Sequence, residues 1–138
     1  MERLSVPGTL DSLEAIAAYV AEVAAAAGLD EEVSYRLQLA VDEVVTNIVS
    51  HGYAEVGIEG AVELEAVIDK HTLKIHIEDT GPTYDPRQYQ RPDHLDLPIE
   101  QRKVGGLGVY LAMNSVDRFL YEQVGKRNRH TLIVNRKT

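Results

Sequence analysis

The chain has 138 residues, a length that fits one domain, residues 1–138, around one sizeable core. Its formal net charge of -8 argues against nucleic acid or an anionic membrane surface as a direct partner. Cysteine is absent, which excludes disulfides, thiol catalysis and thiolate metal sites. The first residues lack the apolar core of a signal peptide, and no apolar run reaches transmembrane length, so we expect a cytoplasmic protein.

A short strand and two helices are predicted in the first third of the chain. The strand is expected over residues 3–6, and helical periodicity then runs over residues 10–27. Asp11 followed by Glu14 forms a loose capping box for the first helix, which ends at Gly28. Asp30 can cap the second helix, and Gly52 is expected to end it as the C′ residue.

The second helix carries a polar pair on the flank of its apolar stripe. Glu43 and Asn47 stand four residues apart, so they lie on one face of the helix, half sheltered beside the core. Asn47 offers a neutral oxygen to Mg²⁺, and Glu43 could take the proton from an attacking hydroxyl. The alternative is an ordinary amphipathic helix with a polar flank. The stripe itself is formed by Leu37, Val41, Val44 and Ile48.

The apolar period then changes from 3.6 to 2. Residues 62–68 and 73–78 alternate in character and flank the turn residues Asp69 and Lys70, so they predict an antiparallel hairpin with one buried face. Asp79-Thr80-Gly81 follows its second strand. Asp79 could accept a hydrogen bond from the exocyclic amine of adenine, with Gly81 leaving space for the ring. The alternative is ordinary turn chemistry.

Residues 82–104 lose all periodicity and hold four of the five prolines, so we interpret them as a lid. Gly105-Gly106-Leu107-Gly108 then opens a short helix, where backbone amides could approach phosphates. A plain glycine-containing helix entry is the alternative. Two strands, residues 118–124 and 130–135, are predicted to finish the chain, joined by a turn over residues 125–129.

In this order, the motifs resemble those of the GHKL ATPase/kinase superfamily, and within it the small anti-sigma factor serine/threonine kinases of RsbW type. Glu43-x-x-x-Asn47, followed by His51-Gly52-Tyr53, resembles the N box of this superfamily. Asp79-Thr80-Gly81 resembles its G1 box. Gly105-Gly106-Leu107-Gly108 resembles the G2 box, and Thr131 matches a threonine that helps to close the adenine site. The resemblance covers about residues 31–134.

The resemblance implies a Bergerat ATP-binding fold, which is an α+β two-layer sandwich. Its mixed, mostly antiparallel sheet would be covered on one face by about three helices, with a long ATP lid. ATP and Mg²⁺ would be the cofactors, with Glu43 as the catalytic base and Asn47 as the nucleotide-binding Mg²⁺ ligand. The other nucleotide-binding positions implied are Asp79, Gly81, Gly105, Gly106, Leu107, Gly108 and Thr131.

The same resemblance implies a serine/threonine protein kinase that regulates transcription by partner switching. Its substrate would be an anti-anti-sigma (STAS-domain) protein, which competes with a sigma factor for the kinase, and the kinase would be a homodimer. A non-catalytic ATP-dependent protein-binding switch of the same fold is the alternative. The catalytic domain of a sensor histidine kinase ranks below both, because no phospho-acceptor helix pair is found before the first helix.

Overall fold

The computed structural model describes residues 2–54, 57, 59–81 and 114–136. A 3-10 turn over Leu10–Ser12 leads into the first helix, and a π-helical turn over Ile48–Ala54 continues the second. The predicted lid, the Gly105–Gly108 motif and most of the helix expected after it lie outside the described residues. The main elements are β1 (Leu4–Pro7), α1 (Leu13–Ala26), α2 (Glu31–Asn47), β2 (Ala61–Ile68), β3 (Thr72–Asp79), β4 (Arg118–Val124) and β5 (Arg127–Asn135).

The five strands form one sheet in the order β1-β2-β3-β5-β4. Every strand pair within the described part of the chain is antiparallel. The predicted hairpin is confirmed as β2 and β3, and its turn is held by Asp69, whose Oδ1 accepts hydrogen bonds from the backbone N–H groups of His71 and Thr72 at 2.8 Å each. The α+β architecture predicted from the sequence is confirmed.

Both α-helices pack on one face of the sheet and enclose the core there. The apolar stripe predicted for α2 is confirmed, because all four of its residues are buried. Across from it, alternate residues of β2, β3 and β5 point toward the helices. This core includes Val20, Val23, Leu37, Val41, Leu64, Ile75, Ile77 and Leu132. None of the described helices is long and apolar enough to cross a membrane.

The predicted helix ends are only partly correct. Asp30 caps α2 as predicted, because its Oδ1 accepts a hydrogen bond from the Val33 N–H at 2.8 Å. Gly28 follows the end of α1 and has a φ of +72°. The capping box of Asp11 and Glu14 is wrong. The N-cap of α1 is Ser12, whose hydroxyl donates to the carbonyl of Pro7 at 2.7 Å instead of capping the helix.

Gly52 is also not the C′ residue of α2, because it lies inside the π-helical turn. That turn ends later, where the Gly57 N–H donates to the Tyr53 carbonyl at 2.9 Å and Gly57 takes a φ of +77°. The wider turn carries Tyr53 into the core, where it is 2% exposed. Burial of this ring is the physical reason why the helical conformation continues past the glycine.

The last hairpin is tighter than predicted. Val124 pairs directly with Arg127, so the turn contains only Gly125 and Lys126 instead of residues 125–129. Gly125 has a φ of +63°, as the first central position of a type II′ turn requires. The tight turn adds three residues to the start of β5 and brings Asn128 opposite Asp79 on β3.

Charge is distributed unequally between the two layers. Residues 10–54, which hold both α-helices, contain eight carboxylates and one arginine, a formal charge of -7 out of the total of -8. The outer face of the sheet instead carries alternating charges. There Glu63 and Glu78 face each other across β2 and β3, Arg127 bridges both carboxylates, and Arg129 bonds Glu78 at 3.0 Å.

Candidate functional site

Asp79 is a buried carboxylate at the end of β3, on the helix-facing side of the sheet. The residue is only 4% exposed. Its Oδ1 accepts two hydrogen bonds, from the backbone N–H of Gly81 at 2.8 Å and from Nδ2 of Asn128 at 3.1 Å. Burial raises the pKa of Asp79, while these two hydrogen bonds act in the opposite direction. The group therefore offers a desolvated acceptor where the strand ends, which suits an N–H donor of a ligand.

Tyr53 joins the end of α2 to this strand end. Its hydroxyl accepts from the backbone N–H of Thr80 at 2.9 Å and donates to the carbonyl of Ala61 at 2.8 Å. The ring lies between two glycines, since a Cβ added to Gly8 or Gly60 would come within 2.4 or 2.6 Å of it. The helix that carries Glu43 and Asn47 and the strand that carries Asp79 are thus tied together by one buried side chain.

Glu43 and Asn47 lie where the sequence predicted them. Both are on α2, both are half-buried, and Asn47 is the last residue of the α-helical part. Four residues separate them, so their side chains leave the helix from the same face, above its buried stripe. A carboxylate and a carboxamide oxygen are therefore available together on the helix that Tyr53 ties to the Asp79 strand.

Thr131 is not brought to the same side as Asp79. It pairs with His76 across β5 and β3, and its hydroxyl lies 2.8 Å from His76 Nδ1 on the face of the sheet opposite to the helices. Alternation along the strand is the reason, because Leu132 next to it points into the core. The position beside Asp79 on the helix-facing side belongs to Asn128.

Asn128 and Tyr121 are site residues that the sequence analysis missed. Asn128 is 2% exposed, and its Nδ2 donates to Asp79 and to the carbonyl of Gly81, both at 3.1 Å. The hydroxyl of Tyr121 donates to Asn128 Oδ1 at 2.6 Å. Gly125 followed by one polar residue is compatible with a two-residue hairpin turn, which would have placed Asn128 in the strand.

Asn47 offers one protein oxygen that could contribute to the ligand shell of a metal ion. Within the described ranges, no group of three or more His, Cys, Asp or Glu side chains could hold a metal. Mg²⁺ commonly takes one or two protein oxygens and completes its shell with phosphate oxygens and water. The Asn47 oxygen fits that limited role. The glycines at positions 105, 106 and 108, expected to contact phosphate, lie outside the described residues.

Comparison with known proteins gives a consistent picture. RsbW, a serine-protein kinase of Listeria monocytogenes, is 30% identical over 120 residues, which cover 83% of this chain and 75% of the relative. BtrW, a serine/threonine-protein kinase of Bordetella bronchiseptica, is 31% identical over 98 residues, covering 71% of this chain and 68% of the relative. An RsbW of Staphylococcus aureus is 28% identical over 126 residues, with 88% and 79% covered.

A solved structure supports the fold independently. The histidine kinase domain of a blue-light activated histidine kinase from Erythrobacter litoralis superimposes with a TM-score of 0.54 at 19% identity. The match covers 88% of this chain, which spans 60% of the length of that one. The family described as the histidine kinase-like ATPase domain matches residues 6–134, from β1 almost to the end of β5. With the buried strand-end carboxylate and the helix that carries Glu43 and Asn47 inside that match, this chain belongs to the histidine kinase-like ATPase family.

Proposed function

We propose that this protein binds ATP with Mg²⁺ and transfers the γ-phosphoryl group to a serine or threonine of an anti-anti-sigma (STAS-domain) protein. The observation that carries the proposal is the buried Asp79 carboxylate, held at the strand end and tied through Tyr53 to the helix of Glu43 and Asn47. Names of the relatives add to it, since RsbW and BtrW are called serine or serine/threonine kinases.

In this proposal each residue has a distinct role. Asp79 accepts the exocyclic N–H of adenine, Asn47 supplies one oxygen to Mg²⁺, and Glu43 takes the proton from the attacking hydroxyl. Gly81 leaves room for the ring, and the motif Gly105–Gly108 binds phosphate through its backbone amides. Transfer then rests on positioning and charge neutralisation. Thr131 has no role in this scheme because it lies on the opposite face of the sheet.

The regulatory part of the proposal is partner switching in the cytoplasm. A homodimer of this chain would hold either a sigma factor or the STAS-domain protein, and phosphorylation of the latter would release it. Support comes from the relatives, which are kinases of RsbW type. A non-catalytic switch, in which ATP only sets the affinity for a protein, is the second candidate. Glu43 argues against it, because a pure switch has no need of a base.

Two variants test the proposal, one at the nucleotide site and one at the proposed base. Isothermal titration of ATP and Mg²⁺ into the wild type and into Asp79→Asn tests the nucleotide site, because an amide presents an N–H as well as an acceptor. We expect the dissociation constant for ATP to rise by at least about tenfold in the variant. Binding that is unaffected by Asp79→Asn, or absent from the wild type, refutes the site.

Phosphotransfer is tested with radiolabelled ATP and a purified STAS-domain protein from the same organism. Glu43→Gln keeps the shape of the side chain but removes its basicity, so we expect ATP binding to persist while transfer falls by about 10²-fold or more. Glu32→Gln, an exposed carboxylate in the first turn of the same helix, is the matched control. Transfer that is equally fast in Glu43→Gln and in the control would favour the non-catalytic assignment of Glu43.

A further inference from the structure

The hydrogen bonds at Asp79 continue into the sheet as a chain of three side chains. Tyr121 on β4 donates to Asn128 on β5, and Asn128 donates to Asp79 on β3. Asn128 is directly opposite Asp79 in the strand register. Tyr121 is opposite His130, which is the next residue of β5 on the same face as Asn128. All three side chains are at most 8% exposed. The chain therefore crosses three adjacent strands inside the helix-facing side of the sheet.

The orientation of the Asn128 amide follows from its partners. An ionised carboxylate and a backbone carbonyl can only accept hydrogen bonds, so the group facing Asp79 and the Gly81 carbonyl must be the NH₂ group. The amide oxygen then faces Tyr121, whose hydroxyl must donate. A phenolic hydroxyl on one strand thus sets which end of the amide meets the carboxylate.

This arrangement divides the two oxygens of Asp79 between different tasks. Within the described part of the chain, both hydrogen bonds to the carboxylate end on Oδ1, one from Gly81 and one from Asn128. Two donors on one oxygen fix the plane of the carboxylate and favour its ionised form. Oδ2 is left to meet a ligand as an acceptor in a fixed direction.

We propose that Asn128, oriented by Tyr121, is a positioning residue that makes Asp79 select a 6-amino purine over a 6-oxo purine. This inference rests on the proposed function, in which Asp79 binds the adenine of ATP. The 6-amino group of adenine donates to an ionised carboxylate, whereas the 6-oxo group of hypoxanthine or guanine presents a second acceptor to it. A site rejects a 6-oxo purine strongly when the buried carboxylate is left without a hydrogen-bond donor.

Loss of Asn128 weakens that discrimination in two ways. The carboxylate loses one of the two bonds that fix its plane, so Oδ2 is no longer held in one direction. It also loses a bond that opposes the effect of burial on its pKa, so the neutral acid, which can donate to a 6-oxo group, becomes more accessible. Both effects favour ITP relative to ATP.

The experiment measures the dissociation constants of ATP and ITP, each with Mg²⁺, for the full 138-residue chain and three variants. We expect the wild type to prefer ATP, so that the dissociation constant of ITP divided by that of ATP is greater than one. Asn128→Leu should reduce this ratio by about tenfold, which corresponds to the loss of one hydrogen bond to a charged group. Tyr121→Phe, which removes only the hydroxyl, should reduce it in the same direction by a smaller factor. Asn135→Leu, at an exposed position of the same strand, should leave it unchanged.

The outcomes separate this inference from the proposed function. If Asn128→Leu and Tyr121→Phe weaken ATP and ITP equally, Asn128 has only a structural role and the inference is overturned. It is also overturned if the wild type binds ATP and ITP with equal affinity, although the nucleotide site then stands. Failure of the wild type to bind either nucleotide overturns the proposed function itself. If Asn128→Leu does not fold, as judged by circular dichroism, Tyr121→Phe decides alone.

Discussion

Removal of the Tyr53 hydroxyl is the sharpest test of how the helix layer is joined to the strand end. Tyr53→Phe keeps the buried ring between Gly8 and Gly60 but deletes a donor to the Ala61 carbonyl and an acceptor for the Thr80 N–H. Both hydrogen bonds are only part-buried, and Ala61 and Thr80 are exposed residues, so the loss of each bond costs about 0.5–1.5 kcal/mol. We therefore expect the free energy of unfolding to fall by about 1–3 kcal/mol, a substantial part of the stability of a typical domain.

Urea denaturation followed by circular dichroism measures this loss as a lower midpoint with an unchanged slope. Tyr35→Phe is the matched control, because Tyr35 is 66% exposed on α2 and its change should stay within about 0.5 kcal/mol. A loss for Tyr53→Phe below about 1 kcal/mol would mean that water replaces the hydroxyl. The reasoning that Tyr53 holds α2 against the end of β3 would then be refuted.

Three further changes test other parts of the structure. Gly60→Ala places a Cβ 2.6 Å from the Tyr53 ring, so we expect about 1–3 kcal/mol of destabilisation from overpacking, and an unchanged thermal midpoint would contradict the close contact. Asp30→Ala removes the cap of α2 and should cost about 1 kcal/mol in urea denaturation, whereas Asp11→Ala, which caps no helix, should cost almost nothing. Burial lowers the pKa of His76, so the unfolded chain takes up its proton first as the pH falls below about 6.5, and stability declines there. His76→Gln should lose less stability than the wild type between about pH 7.5 and 5.5, and equal losses would show that His76 does not contribute.

Local patterns in the sequence were enough to predict most of the fold. The spacing of Leu37, Val41 and Val44 fixes the buried face of α2, and period-2 alternation fixes β2 and β3. Asp30 was predictable because its cap bond spans only three residues. In each of these cases the residues that determine the structure are neighbours along the chain.

The parts that were missed depend on contacts between distant residues. The face on which Thr131 lies depends on strand register, since a shift of one residue moves every side chain to the other face. Asn128 was assigned to the turn predicted over residues 125–129, although the tight turn at Gly125 places it in β5. Gly52 resembled a helix end because nothing near it reveals that Tyr53 is buried between Gly8 and Gly60.

The unequal distribution of charge has a kinetic consequence. With a formal charge of -7 over residues 10–54 and alternating charges on the outer face of the sheet, the protein is electrically polarised from layer to layer. A cationic molecule that approaches over the helices is accelerated and an anionic one is slowed, and both effects shrink as the Debye length falls to about 8 Å at physiological ionic strength. Association over the sheet face should depend little on salt. The ionic-strength dependence of an association rate can therefore report which layer a partner meets first.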